Sequence, residues 1–194
     1  MNAEYFSGEH LQTPRLRFNA SSLRAQHSNA RQGLRTYGPY DALRILKDRI
    51  RYAVIFPNDL SQVKNTLVSG LINGNGQFGG FERLFRIPLE LVQERAIRAE
   101  SADVVRETVS AILRDHRPDI FVLVTSDRNE ALYQSVKAIL LGNGIPSQMV
   151  RAETMHNPKG LPWSLENIAL QMYAKVGGTP WTVMSSSKRQ ELII

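Results

Sequence analysis

The densest apolar stretches of the chain are two five-residue runs, residues 52–56 (YAVIF) and 120–124 (IFVLV). Each is short, β-branched or aromatic, and stopped by Pro57 or by Thr125-Ser126, the pattern of a strand buried on both faces of a parallel sheet. Between and after them the apolar period changes to that of helices. Asn58 or Asp59 is placed to cap a helix carrying Leu60, Val63, Leu67, Leu71 and Ile72, and residues 101–116 place Val104, Val105, Val109, Ile112 and Leu113 on one helical face. A helix over about residues 128–141 ends at Gly142 and Gly144. A short strand over residues 147–150, a loop over 151–162, and a helix from Ser164 to Gly177-Gly178 complete the series. Strands alternating with helices predict the α/β class, a parallel sheet covered by helices on both sides.

The flanks read differently. Residues 1–36 are polar, rich in Arg, Ser and Asn and without periodicity, which predicts an arm or linker. The turn Tyr37-Gly38-Pro39-Tyr40-Asp41 opens the fold proper, with Leu43, Leu46 and Ile50 recurring at helical spacing after it. Residues 81–99 contain strand-like pieces that the pattern does not place. Residues 180–194 carry two strand-like pieces, TVM and ELII, without a covering helix, as expected for the opening hairpin of another domain.

Composition narrows the function classes. With 194 residues the chain is long enough to bury a core, and with no cysteine it has neither a disulfide framework, a thiolate metal site nor a cysteine nucleophile. No apolar run approaches the roughly 20 residues that cross a bilayer. The start MNAEYFSGEH lacks the basic-then-apolar order of a secretory signal, so a cytoplasmic protein with no membrane partner is expected. Lys and Arg number 24 against 18 acids, a net charge of +6. Residues 11–40 hold Arg15, Arg17, Arg24, Arg31 and Arg35 with no acid, so the excess is local and fits a polyanionic partner or a solvated basic tail.

Gly74, Gly76 and Gly79 match the spacing G-x-G-x-x-G, but they follow a helix instead of a strand, so a loop is expected and not a dinucleotide site. His10, His27, His116 and His156 form no metal-ligand spacing, and no serine sits in a G-x-S-x-G elbow. The informative segment follows the second apolar run. Asp127 with Glu130 reads as a capping box, which puts a helix N-terminus beside Thr125 and Ser126 at the carboxyl edge of the sheet, where anions are favoured. On that helix Tyr133 and Lys137 share a face, an aromatic ring one turn from an ammonium. On the last helix Asn167, Gln171 and Lys175 recur every four residues as one polar stripe on an otherwise apolar surface. Such a stripe either faces water or needs polar partners, and an anionic ligand would satisfy all three groups.

The run YQSVKAILLGNGIPSQMV followed by NIALQMYAKVGGTPW resembles the MID domain of a prokaryotic Argonaute passing into its PIWI domain. LQTPRLRF and GLRTYGPYD resemble the linker and first turn of that module in the short members of the family. The resemblance covers residues from about 11 to the end. It implies an arm over residues 1–36, a Rossmann-like MID domain over 37–178, and over 179–194 a β-hairpin that begins an RNase H-like PIWI domain. It implies that Tyr133 stacks on the first base of a small guide RNA or DNA and hydrogen-bonds its 5'-phosphate, that Lys137 and Lys175 neutralise that phosphate, and that Gln148 donates to it. Asn167 and Gln171 match positions near the first guide phosphates. Thr125, Ser126, Asp127 and Arg128 fall in the loop that meets the first base.

The implied role is guide binding in defence against foreign nucleic acid, with the guide and its complementary target as partners. In some members a divalent cation, Mg2+ or another, lies at the guide 5' end with help from the family's C-terminal carboxylate. That carboxylate is outside this sequence, which counts against a metal here. The first catalytic Asp of the family's nuclease site also lies beyond Ile194, so no cleavage by this chain is expected. Two alternatives use the same residues: an interaction piece that docks the remaining PIWI portion or an effector subunit, and an α/β domain that binds a small molecule at the strand-edge crevice.

Overall fold

The computed structural model describes residues 14–41, 47–126 and 130–184. In chain order these form β1 (Leu16–Arg17), β2 (Gln26–His27), α1 (Ala30–Tyr37), β3 (Ile50–Pro57), α2 (Ser61–Asn73), α3 (Phe81–Phe85), β4 (Leu89–Ile97), α4 (Ala102–Asp115), β5 (Ile120–Thr125), α5 (Glu130–Gly142), β6 (Ser147–Arg151), α6 (Ala152–Met155), α7 (Leu161–Lys175) and β7 (Thr182–Val183). The α/β expectation holds. Four parallel strands lie in the order β4-β3-β5-β6, with the two apolar runs as the central pair.

Strand period then sorts the core into two layers. Tyr52, Val54 and Phe56 of β3, with Ile120, Val122 and Val124 of β5, meet residues of α1, α2, α3, α6 and α7 on one face. Ala53, Ile55, Phe121 and Leu123 meet α4 and α5 on the other. The edge strand β6 therefore lies between α5 on one face and α7 on the opposite face. Both helices run back from the carboxyl edge of the sheet toward its amino edge.

Several elements depart from the sequence pattern. The described part of the arm packs into the fold. Asn29 caps α1 by accepting from the Gln32 N–H at 3.0 Å, and Phe18 is fully buried beneath that helix. Gly33 makes the contact possible, because a Cβ there would stand 2.2 Å from the Phe18 ring. β1 pairs antiparallel with both β2 and β7, so the TVM piece closes on the arm. ELII, Leu43 and Leu46 lie outside the described residues, and Ile50 begins β3 instead of continuing a helix. Asp41, the last residue of the predicted turn, accepts from the Tyr173 hydroxyl at 2.8 Å and the Thr179 N–H at 2.7 Å. Residues 81–99 resolve into α3 and the edge strand β4, α6 lies within the expected loop, and α7 begins at Leu161 instead of Ser164. The glycines after α2 close a turn: Gly74 has φ of +82°, and a Cβ there would stand 2.2 Å from the Phe78 carbonyl oxygen.

Candidate functional site

Packing on opposite faces of an edge strand places α5 and α7 on either side of it, and Lys175 of α7 reaches β6 itself. Lys175, the last residue of α7, donates from Nζ to the Ser147 carbonyl at 2.7 Å and to Gln148 Oε1 at 2.8 Å. Gln148 is buried and donates from Nε2 to the Met149 carbonyl at 3.0 Å. On α5 the Lys137 ammonium stands 5.1 Å from the centroid of the Tyr133 ring, a cation–π distance. Among the described residues neither lysine is paired with a carboxylate.

The electrostatics follow from this grouping. Burial lowers the Lys175 pKa below its ordinary value, and repulsion from Lys137 lowers it further. Two like charges thus stand close enough to repel, the kind of perturbation that clusters at functional sites. An ammonium has three N–H donors, and two of those on Lys175 are fixed by β6, so one oriented donor remains for a ligand.

Gln148 and Lys175 meet alongside β6 at the amino edge of the sheet; Lys137, which acts on Lys175 by its charge from the middle of α5, has the Tyr133 ring one turn nearer the carboxyl edge. The carboxyl-edge position expected from the capping box is not where the lysines meet. Asn167 and Gln171 are exposed on the same ridge of α7 as Lys175, but Asn167 Oδ1 accepts from Arg31 at 2.8 Å. Thr125 is buried at the end of β5, and the backbone N–H and hydroxyl of Ser126 both donate to Glu100 Oε1. Asp127 and Arg128, and with them the capping box, lie outside the described residues.

The sequence reading missed the Ser147 carbonyl, a backbone acceptor that no residue pattern reveals. It also missed the cluster at the far end of α7. There Arg31 lies 4.2 Å from the Trp163 ring centroid, and Arg35 pairs at 2.5 Å with Glu166, a buried carboxylate.

A divalent ion does not fit the lysine pair unaided, since hard cations take several oxygen ligands and two ammonium groups repel them. Among the described residues no group of three or more His, Cys, Asp or Glu converges. A concavity of about 710 Å³ at the amino edge is lined by Lys47, Arg49, Arg51, Asp48, Glu90 and Asp119. Its charges are already matched, Lys47 with Asp119 and Arg49 with Asp48 and Glu90, which leaves little for a small molecule. No helix among the described residues is long and apolar enough to cross a membrane.

Comparison with known proteins bears on these same elements. The family model described as the Piwi domain matches residues 119–194, which include β5, α5, β6 and α7. A protein described as "Protein argonaute" from Cereibacter sphaeroides is 27% identical over 178 residues, and a "Piwi protein" from Archaeoglobus fulgidus is 28% identical over 164. The chain is similar to Argonaute and Piwi proteins, and its residues 119–194 match the Piwi domain. It spans only part of the length of these relatives: the first match covers 78% of this chain and 22% of the relative, the second 84% and 36%. The fold agrees with that of the Clostridium butyricum Argonaute solved with a guide DNA and a 19-mer target DNA. That structure aligns at a TM-score of 0.72 and 17% identity over 90% of this chain and 25% of its own. Drosophila Piwi aligns at 0.65 and 18% identity over 91% of this chain and 24% of its own.

Proposed function

We propose that these residues anchor the 5'-phosphorylated end of a small guide RNA or DNA, as the MID portion of a short prokaryotic Argonaute that acts in the cytoplasm in defence against foreign nucleic acid. The observation that carries the reading is the Lys175 ammonium, fixed by Ser147 and Gln148, with Lys137 beside it and no carboxylate partner among the described residues. A terminal phosphate carries close to two charges at neutral pH, where an internal phosphate carries one. Two converging ammonium groups therefore favour the end of a strand over its interior. Gln148 acts as a positioning residue: it accepts from Lys175 and so turns the third ammonium N–H outward, while its remaining amide N–H is available to the phosphate. Tyr133 offers its ring to the first base. The guide DNA held by the Clostridium butyricum relative supports a nucleic-acid ligand of this kind. Binding, not cleavage, is the role assigned to these residues.

The test compares a 5'-phosphorylated single strand with its 5'-hydroxyl twin. The phosphorylated strand is expected to bind more tightly, with the preference lost in Lys137→Ala and in Lys175→Ala. Equal affinity of the wild-type chain for both strands would refute the reading.

A second role rests on a separate observation. Val183 on β7 and Met184 just after it leave 62% and 39% of their surfaces exposed. Docking of the remaining PIWI portion or of an effector subunit there predicts that co-expression with the partner raises solubility. Unchanged solubility would count against it.

A further inference from the structure

The exposed positions of α7 continue past the lysine pair. Trp163, Asn167, Gln171 and Lys175 recur every four residues and all four are exposed, while Leu161, Leu165, Glu166, Ile168, Ala169, Met172 and Tyr173 are buried. Residues four apart lie on one ridge of a helix, so these side chains form a continuous strip from Lys175 at the amino edge of the sheet to Trp163 at the opposite end. Trp163 is 42% exposed, unusual for so large an apolar surface, and the Arg31 guanidinium covers its ring at 4.2 Å. Asn167 fixes that guanidinium by accepting from Nη2 at 2.8 Å, so the cation and the ring are held together. No acid lies in residues 14–40, which bring Arg31 and Arg35 to this end of α7.

We propose that Trp163 and Arg31 form a second nucleic-acid contact, a stacking and phosphate-holding platform for a nucleotide several positions in from the anchored 5' end. An aromatic face beside an arginine is how single strands are held without regard to sequence, since every base has a π-face and every nucleotide a phosphate. Twelve residues of helix rise about 18 Å. At about 3.4 Å per stacked nucleotide, that distance is reached by a strand of about five nucleotides, or fewer if the strand is extended. The inference rests on the anchoring of the 5' end at Lys137 and Lys175 and adds a footprint that the end alone does not require.

The experiment measures the affinity of a 5'-phosphorylated dinucleotide and a 5'-phosphorylated 10-mer, each with its 5'-hydroxyl twin, for the wild-type chain, Trp163→Ala, Trp163→Phe and Arg31→Gln. Trp163→Ala is expected to weaken the 10-mer about fivefold or more and the dinucleotide less than about twofold, as stacking of one base on a ring implies. Trp163→Phe keeps a ring and is expected to retain most of the 10-mer affinity. Arg31→Gln is expected to weaken the 10-mer and to flatten its salt dependence by about one phosphate contact. If the wild type prefers 5'-phosphate but Trp163→Ala leaves the 10-mer unchanged, or weakens both ligands equally, the platform is refuted while the anchor stands. If the wild type shows no 5'-phosphate preference, both are refuted. Melting temperatures of all variants separate a folding defect, and a Trp163→Phe variant that melts like wild type but binds the 10-mer as poorly as Trp163→Ala also refutes the platform.

Discussion

Replacing Tyr173 by Phe removes one oxygen from the centre of the molecule and leaves the ring in place. That ring stacks on Phe85 with centroids 4.4 Å apart and 12° between planes, and packs against Phe81, so little apolar contact is lost. What is lost is the bond from the hydroxyl to Asp41 Oδ1, 2.8 Å long and buried. Oδ2 keeps its bond from the Thr179 N–H, but Oδ1 is left without this donor. A hydrogen bond to a charged group contributes about 1.5–3 kcal/mol. Each kcal/mol moves the melting temperature of a chain of this size by about 2–4 °C, so a drop of about 3–12 °C is expected by circular dichroism or calorimetry.

The pH dependence gives a second check. Burial first, then the bond to Asp41 and its charge, raise the Tyr173 pKa above its ordinary value near 10. A raised pKa stabilises the fold fully below that ordinary value and progressively less as pH rises through the folded value. The gap between wild type and Tyr173→Phe should therefore be constant from neutral pH to about pH 10 and narrow above it. A shift smaller than about 1 °C, or a gap that widens in alkali, would refute the reasoning.

Three further outcomes follow from separate contacts. Arg35→Ala removes a partner of the buried Glu166, whose Oε1 already has none, and should cost about 1–3 kcal/mol, with much of the loss recovered in the double variant Arg35→Ala with Glu166→Gln; denaturant titration would show it. Gly33→Ala should destabilise by about 1–3 kcal/mol through the Phe18 ring, and Phe18→Leu should relieve part of that cost in a double-mutant cycle; strict additivity would contradict the contact. Because burial and Lys137 lower the Lys175 pKa, affinity for a 5'-phosphorylated strand should begin to fall, as pH rises, before the ordinary lysine value of 10.5 is reached; affinity that stays flat to that value would contradict the crowded pair.

The parts of the fold that were legible in the sequence are those where one local rule decides. Residues 52–56 and 120–124 are buried on both faces, so their side chains carry no polar alternation and the strands stand out. The helix α4 was visible from its apolar face, and Ser101 caps it by accepting from the Val104 N–H. The site was legible to the same degree: the four-residue spacing of Tyr133 and Lys137, and of Gln171 and Lys175, is set by the helix alone. Illegible were the features fixed by distant partners. β1, β2 and β7 are two residues each, too short for any period, and form because Phe18 fits over Gly33 and Leu16 pairs with Val183. β4 hides its identity because Glu94, Arg95 and Ala96 face solvent at the sheet edge. Glu166 reads as a surface acid on an amphipathic helix, and only the fold brings Arg35 to it from 131 residues away. Trp163 next to Arg31 is equally hidden, since the two meet only when the arm lies along α7.

The most direct measurement is the ratio of affinities of the wild-type chain for a 5'-phosphorylated and a 5'-hydroxyl single strand of identical sequence at one fixed salt concentration. Two charge-assisted contacts, from Lys137 and from the free donor of Lys175, contribute about 1.5–3 kcal/mol each when fully realised. Even half of one such pair's combined contribution corresponds to a ratio of about tenfold or more in favour of the phosphate. A ratio of one would show that the lysines clasped around β6 do not recognise the end of a strand.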